Sequence, residues 1–294
     1  MTRIIGELVG KEAGPLLILV GGLHGNEHRG IEALVNVISA FEDKQIRGKV
    51  LALRGNLKAL KESKRFLSRD LNRSWSTHLK DAELGEELSE REELKSIIDR
   101  KLSGWDGDIY LIDLHTTSAP TVPFAVIGKD AATMNFVRNM NIPFVTGLTG
   151  ILDGTLLNWM SKKGHVGLAF EAGSHHSKTS LIKHEAFVKL CLHAVGCYLD
   201  YTESELLELK ELLSDELSPR HQHFRLLERY QIDEDEEFVM EEGFTNFQKI
   251  YKGEVLAQNQ FGDIMSAING NIFMPLYQEE GKDGFFIIKP AEDK

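Results

Sequence analysis

His24 and Glu27 stand three residues apart in Gly21-Gly22-Leu23-His24-Gly25-Asn26-Glu27-His28, where an imidazole nitrogen and a carboxylate oxygen can converge on one ion. Such a pair often occurs by chance among solvent-facing side chains, so its meaning depends on what else the chain supplies. A third possible ligand is His115 in Asp113-Leu114-His115-Thr116-Thr117. Two histidines and one carboxylate leave a fourth position for water, the donor set of a catalytic rather than a structural zinc, although other divalent metals accept it. Asp113, two residues before His115, either orients an imidazole or caps a strand end. Glu171 closes the run Val166-Gly167-Leu168-Ala169-Phe170. A lone carboxylate after so apolar a run is costly unless it has a partner or a task. The task on offer is that of a general base; a salt bridge or a helix cap is the alternative. In Arg65-Phe66-Leu67-Ser68-Arg69-Asp70-Leu71-Asn72-Arg73, guanidinium forks suit a substrate carboxylate and Asn72 can both donate and accept.

These residues need a scaffold that turns them toward one another. Apolar runs of strand length at 16–20, 50–53, 109–114, 124–127 and 166–170 alternate with helical patterns at about 28–42, 88–102, 130–140, 154–163 and 178–200. The alternation predicts an α/β fold with a largely parallel or mixed sheet. His24 with Glu27, His115 and Glu171 each follow one of the apolar runs, and ligands in such sheets gather beyond the carboxyl ends of the strands. After about residue 203 the texture changes. A short helical stretch at 204–213 gives way to aromatic and β-branched residues broken by glycines, which predicts a smaller, mostly β unit. The division is drawn as 1–205 and 206–294. The acidic run Asp233 to Glu237 reads as a solvated loop, and 74–93 as an exposed loop leading into a helix.

Composition narrows the function. The chain has 294 residues, 42% hydrophobic and 27% charged, as expected of a packed globular protein. No stretch reaches the roughly 20 apolar residues that cross a bilayer, and the start lacks a signal-peptide profile, so a cytoplasmic protein without a membrane partner is expected. A formal charge of -11 argues against nucleic-acid binding. An anionic substrate then needs a local basic pocket. Lys58, Lys61, Lys64, Arg65, Arg69 and Arg73 against Glu62 and Asp70 provide a net +4. Cys191 and Cys197 read as buried thiols rather than a bridge. His28 reads as a support behind the motif or a surface residue, His175 and His176 as the start of a helix rather than metal ligands, and His221 and His223 as ordinary strand residues.

His24-Gly25-Asn26-Glu27, Arg65 with Asp70-Leu71-Asn72-Arg73, Asp113-Leu114-His115-Thr116-Thr117 and Glu171-Ala172-Gly173 together resemble the succinylglutamate desuccinylase/aspartoacylase family, a branch of the zinc carboxypeptidase-like fold. Order and spacing agree across about residues 15–175. The resemblance implies a mixed sheet flanked by helices, a β-rich C-terminal domain narrowing the cleft, and one zinc held by His24, Glu27 and His115. It implies Glu171 as general base and then acid, Arg65 at the scissile carbonyl, and Asn72 and Arg73 on a carboxylate of a small anionic N-acyl amino acid. It also points to Tyr277 as a residue sent into the site from the C-terminal domain. The resemblance implies a further arginine about ten residues before Glu171, where this chain has Ser161 followed by Lys162 and Lys163 as possible point charges. A peptidase acting on a C-terminal residue, or a zinc-binding protein without catalysis, are the alternatives.

Overall fold

The computed structural model describes residues 1–76, 80, 85–175, 177–220 and 222–291. The first part alternates strands and helices: β1 (Ile4–Val9), β2 (Glu12–Gly21), α1 (Arg29–Phe41), β3 (Arg47–Arg54), α2 (Leu57–Glu62), α3 (Glu87–Leu102), β4 (Ile109–Thr117), β5 (Phe124–Ile127), α4 (Ala131–Arg138), β6 (Phe144–Thr146), α5 (Leu156–Lys162), β7 (Val166–Ser174), α6 (Ser180–Ala194) and α7 (Glu203–Leu213). Seven further strands follow: β8 (His223–Gln231), β9 (Val239–Met240), β10 (Lys249–Ile250), β11 (Val255–Asn259), β12 (Gly262–Met265), β13 (Gly270–Phe273) and β14 (Asp283–Pro290).

Eleven strands form one mixed sheet in the order β1-β3-β2-β4-β7-β5-β6-β8-β14-β13-β10, and β12-β11-β9 form a second sheet. At the centre, β3, β2, β4 and β7 run parallel. Their side chains alternate between two cores, as the two-residue period of a strand requires. Leu17, Leu19, Val50, Ala52, Ile112 and Leu114 face α1, α6 and α7. Leu16, Ile18, Val20, Leu51, Leu53 and Leu111 face α3 and α5. Helix α1 lays Leu34, Val37, Ile38 and Phe41 on the first core at helical spacing. Phe170 of β7 stacks on Phe187 of α6 with ring centroids 3.7 Å apart. Burial of each such side chain stabilises the fold by about 1.5–3 kcal/mol.

The five expected strands and five expected helices are all present. Helix α6 is shorter than its apolar pattern: it ends at Ala194, and Gly196, at φ +84°, takes the left-handed turn that stops it. Strands β1 and β6 and helix α2 were not expected. Strand β6 has only three residues, too few for a period, and β1 lies at the sheet edge, where a mixed burial pattern hides the alternation. The 205/206 divide falls inside α7, whose Leu209 and Leu213 pack on the first core. The β-rich part is also joined to the main sheet, because β8 pairs in parallel with β6. Phe124 of β5 meets Phe273 of β13 edge-on at 4.9 Å within one apolar cluster. The acidic run 233–237 lies in a loop between β8 and β9, and Cys191 and Cys197 are free and buried. His176 and His221 lie outside the described residues, as do 77–79 and 81–84 of the expected loop. No described helix is long and apolar enough to cross a membrane.

Candidate active site

Strand alternation decides which way the polar residues of β4 and β7 face. Asp113 and His115 continue the row of Leu111, on the face covered by α3 and α5, while Leu114 points into the opposite core. His115 and Glu171 are partners in the β4–β7 register, so they emerge side by side at the carboxyl ends of adjacent strands. His24 and Glu27 come from the turn after β2, the other neighbour of β4. That turn lies close against α2 and the chain just after it. A Cβ on Gly25 would sit 2.2 Å from the Ala59 carbonyl carbon, and the Gly25 amide donates to the Arg65 carbonyl at 3.0 Å. Only glycine permits this contact, which brings Arg65 to the histidine turn.

His24, Glu27 and His115 are buried and place one donor atom each within 4.8 Å of one another. His24 Nδ1 lies 2.8 Å from Glu27 Oε1, and His115 Nδ1 lies 3.0 Å from Glu27 Oε2. The far nitrogens are also held: His24 Nε2 by Asp70 Oδ1 at 3.1 Å and His115 Nε2 by Asp113 Oδ2 at 2.6 Å. If each Nε2–H donates to its aspartate, both Nδ1 lone pairs face the Glu27 carboxylate. Like-signed donors turned inward fit a cation between them, and the carboxylate–histidine pairs are what fixes a metal-ligating imidazole. The electrostatics agree. Burial disfavours the Glu27 charge, but the two imidazoles outweigh it and hold this carboxyl well below the usual range. Burial likewise opposes a charged His115, yet Asp113 and Glu27 drive it well above the usual histidine range. The pocket thus calls for positive charge where the three donors meet, and the donor set fits zinc. Asp113 therefore orients His115.

Glu171 is buried beside this group, and its Oε2 has no hydrogen-bond partner. Burial pushes its carboxyl up to about 7; the His115 imidazole pulls the other way and the Glu27 carboxylate adds to the rise. Arg65 donates to Asp70 Oδ2 at 3.2 Å and leaves Nε buried without a partner. Asn72 accepts from the Leu156 amide at 3.0 Å, and its Nδ2 lies 3.5 Å from both Asp113 Oδ2 and His115 Nε2. Arg73 donates to Asp283 Oδ2 at 3.0 Å. These residues line a cleft of about 800 Å³ whose far wall comes from the C-terminal strands and their connections, with Arg229, Gln231, Leu276, Gln278 and Asp283.

Tyr277 is not brought to the cleft. Its hydroxyl donates to the Glu241 carbonyl at 2.8 Å and accepts from the Phe244 amide at 2.9 Å, inside the C-terminal part. The next residue, Gln278, takes the place expected of it, with Oε1 3.5 Å from Asn26 Nδ2 and 3.4 Å from His175 Nε2. His175 is no helix start: it follows β7, lines the cleft and shares a 2.7 Å hydrogen bond with Thr116 Oγ1. Ser161, Lys162 and Lys163 are exposed and do not line the cleft; Lys162 lies 3.7 Å from Asp153 and Lys163 3.1 Å from Asp99. Sequence reasoning also missed Glu87, which is fully buried at the start of α3. Its carboxylate accepts from the Leu67, Ser68 and Arg69 amides at 2.7, 3.0 and 3.1 Å and pins the loop carrying Arg65 and Asp70. An acidic residue in a polar stretch gives no sign of that role.

The succinylglutamate desuccinylase/aspartoacylase catalytic-domain family model matches residues 13–190, which contain both histidines, Glu27 and Glu171. This chain belongs to that family. Among family relatives, the succinylglutamate desuccinylase of Photorhabdus laumondii subsp. laumondii is 32% identical over 92 residues, covering 31% of this chain and 28% of the relative. That of Serratia proteamaculans is 28% identical over 102 residues, covering 34% and 31%. The matched stretch thus spans about three tenths of these curated relatives' length. Whole-chain likeness is seen among structures. The family member from Rhodobacter sphaeroides superposes with a TM-score of 0.73 at 16% identity, covering 98% of this chain and 88% of that one. The succinylglutamate desuccinylase of Vibrio parahaemolyticus gives 0.71 at 17%, covering 97% and 86%. The product-bound ectoine utilization protein EutE of Ruegeria pomeroyi gives 0.68 at 18%, covering 95% and 87%. At these identities the likeness establishes the fold, including the strands after residue 222.

Proposed function

We propose that this protein is a zinc-dependent amide hydrolase that removes the acyl group from a small N-acyl amino acid. One arrangement carries the reading: two imidazoles, each braced by an aspartate, face Glu27, and the Glu171 carboxyl stands next to them with an unpaired buried oxygen. Zinc held by His24, Glu27 and His115 would supply a Lewis acid for the amide carbonyl and acidify the attacking water. Glu171 takes the water's proton and returns it to the departing amine. A carboxyl raised to about 7 suits a group that must accept and release a proton near neutrality. Arg65, with a spare N–H, donates to the carbonyl oxygen as negative charge grows, an effect worth about 3 kcal/mol for a single well-placed donor. Asn72 and Arg73 receive the substrate α-carboxylate.

The C-terminal part, residues 206–294, acts in this reading as the unit that narrows the cleft. Its residues form one wall of a space of about 800 Å³, within the range of small-molecule sites, which favours a small substrate over a peptide. The names of the relatives, desuccinylases and an ectoine utilization protein, support a small acylated amino compound. A noncatalytic zinc protein has no need of a desolvated carboxyl beside its metal ligands. The test is amine release from a panel of N-acyl amino acids, including N-succinylglutamate and N-acetylaspartate, by zinc-loaded protein, with Glu171→Gln as control. Turnover that needs both zinc and Glu171, with zinc still bound by the variant, is the expected result. No release from any member by zinc-loaded protein would sink the proposal.

A further inference from the structure

The helix that the family resemblance expects to supply a second substrate-binding arginine offers no cation to the cleft, since Ser161, Lys162 and Lys163 on and just after α5 all lie outside it. Apart from the metal-ligand group, the catalytic carboxyl of Glu171 and Arg65 with Asp70, the rest of the cleft nevertheless carries a positive surplus: Arg69, Arg73, Arg229 and Lys282 stand against Asp153 and Asp283. An α-carboxylate on Arg73 accounts for only part of it. Arg229 is the most firmly placed of the rest. It belongs to β8, and its Nε donates to Asp283 Oδ1 at 2.6 Å while Arg73 Nη2 donates to Oδ2 of the same carboxylate at 3.0 Å. Arg69 and Lys282, by contrast, sit on loops, and Lys282 is exposed.

We propose that Arg229 is a specificity-determining residue that binds a second carboxylate on the amino-acid half of the substrate, with Asp283 positioning it beside Arg73. The proposal rests on the deacylase reading and adds to it the residue that chooses the amino acid. A guanidinium has five N–H groups, so each arginine keeps donors after its bond to Asp283. One carboxylate bridging both arginines keeps the bonded nitrogens within roughly 8 Å, two hydrogen-bond lengths plus the width of the carboxylate. Two anionic groups received by such a pair must be close neighbours in the substrate. The α- and side-chain carboxylates of an acidic amino acid meet that condition, whereas carboxylates on opposite sides of the scissile amide lie farther apart. Asp283 also cancels one of the two charges, which keeps the pair from repelling itself when no substrate is present.

The test compares kcat/KM for N-acetylaspartate and N-acetylglutamate with that for N-acetylalanine and N-acetylglutamine in wild type and Arg229→Gln. The acidic pair is expected to lose about 30-fold, mainly through KM, and the neutral pair to change by less than about 3-fold. Equal losses on both pairs, or an undiminished preference for the acidic pair, would overturn the proposal. If Arg229→Gln shows no cooperative unfolding, Arg229→Lys replaces it; lysine keeps the charge without the fork, so a smaller loss confined to the acidic pair is expected and an even loss overturns the idea. A second readout needs no turnover: calorimetric binding of L-glutamate, L-aspartate and L-alanine to zinc-loaded Glu171→Gln protein with and without Arg229→Gln. Tighter binding of the dicarboxylates that disappears with Arg229→Gln sustains the subsite even if wild type deacylates nothing in the panel, an outcome that would refute the deacylase reading alone. No preference for the dicarboxylates overturns the subsite.

Discussion

At the scale of single residues, the site is a set of charges that each depend on a neighbour. His115 is held at 2.6 Å by a fully buried Asp113, so Asp113→Asn removes the charge that fixes its tautomer and direction. The expected result is zinc affinity lower by about 10- to 100-fold in a chelator competition, with the fold intact. An unchanged affinity would show that the pair does not orient the ligand. His184 gives a pH prediction of its own. It is completely buried on α6 and hydrogen-bonds the His115 carbonyl at 3.1 Å, and burial first of all depresses its pKa to about 4. Below the ordinary value of about 6.5 the unfolded chain takes up a proton that the folded chain refuses, so stability falls as pH drops from about 6.5 toward 4. Between pH 7 and 5 that is about 2 kcal/mol. Urea unfolding of wild type and His184→Gln at both pH values measures it; the variant should lose less stability over this interval, and equal losses would contradict the assignment.

At the scale of elements, residues far apart in sequence are brought together by loops that other elements anchor. Glu87 binds three successive backbone amides of the loop after α2 and also accepts from Asn56 Nδ2 at 3.2 Å, while Asn56 itself caps α2. Glu87→Gln replaces an acceptor oxygen with a donor amide in a fully buried place. A loss of about 3 kcal/mol in chemical unfolding is expected. Because the loop carries Arg65, kcat should fall as well, whereas a change in KM alone would argue that Arg65 is positioned by something else. HGNE, DLHTT and the lone Glu171 are legible because strand-end polar residues break apolar runs, and DLNR, in the loop after α2, because arginines flank an asparagine close after HGNE. Glu87 is not, since a carboxylate that receives amides from a distant loop looks like any exposed acid in a charged helix. Tyr277 and Gln278 illustrate the same limit. Which of two neighbours faces a cleft depends on the path of an irregular connection between β13 and β14, where no period applies.

At the scale of the whole molecule, the composition change near residue 203 suggested two units, while the backbone makes one continuous sheet through the β6–β8 pairing. The Phe124, Phe247 and Phe273 rings pack across that junction. The chain is therefore expected to unfold as one cooperative block. All three tryptophans, Trp75, Trp105 and Trp159, precede the junction, so their fluorescence reports the first part while far-UV circular dichroism reports the whole. Coincident urea transitions are expected; a separate transition in the dichroism would show that the C-terminal strands unfold on their own.

The sequence by itself determined the chemistry that was available: two histidines and two glutamates, each beside an apolar run of strand length, and an arginine–asparagine cluster in a basic stretch. Local periodicity is a property of neighbouring residues, and strand alternation puts Asp113 and His115 on one face of β4, while the β4–β7 register sets Glu171 beside them. The tertiary structure alone decided that β4 lies between β2 and β7, that Glu87 holds the arginine loop, that Gln278 rather than Tyr277 reaches the cleft, and that Arg229 meets Arg73 across one aspartate. Those are contacts between residues up to some 250 positions apart. They depend on strand order and on where loops close, and neither is encoded in the pattern of any single segment.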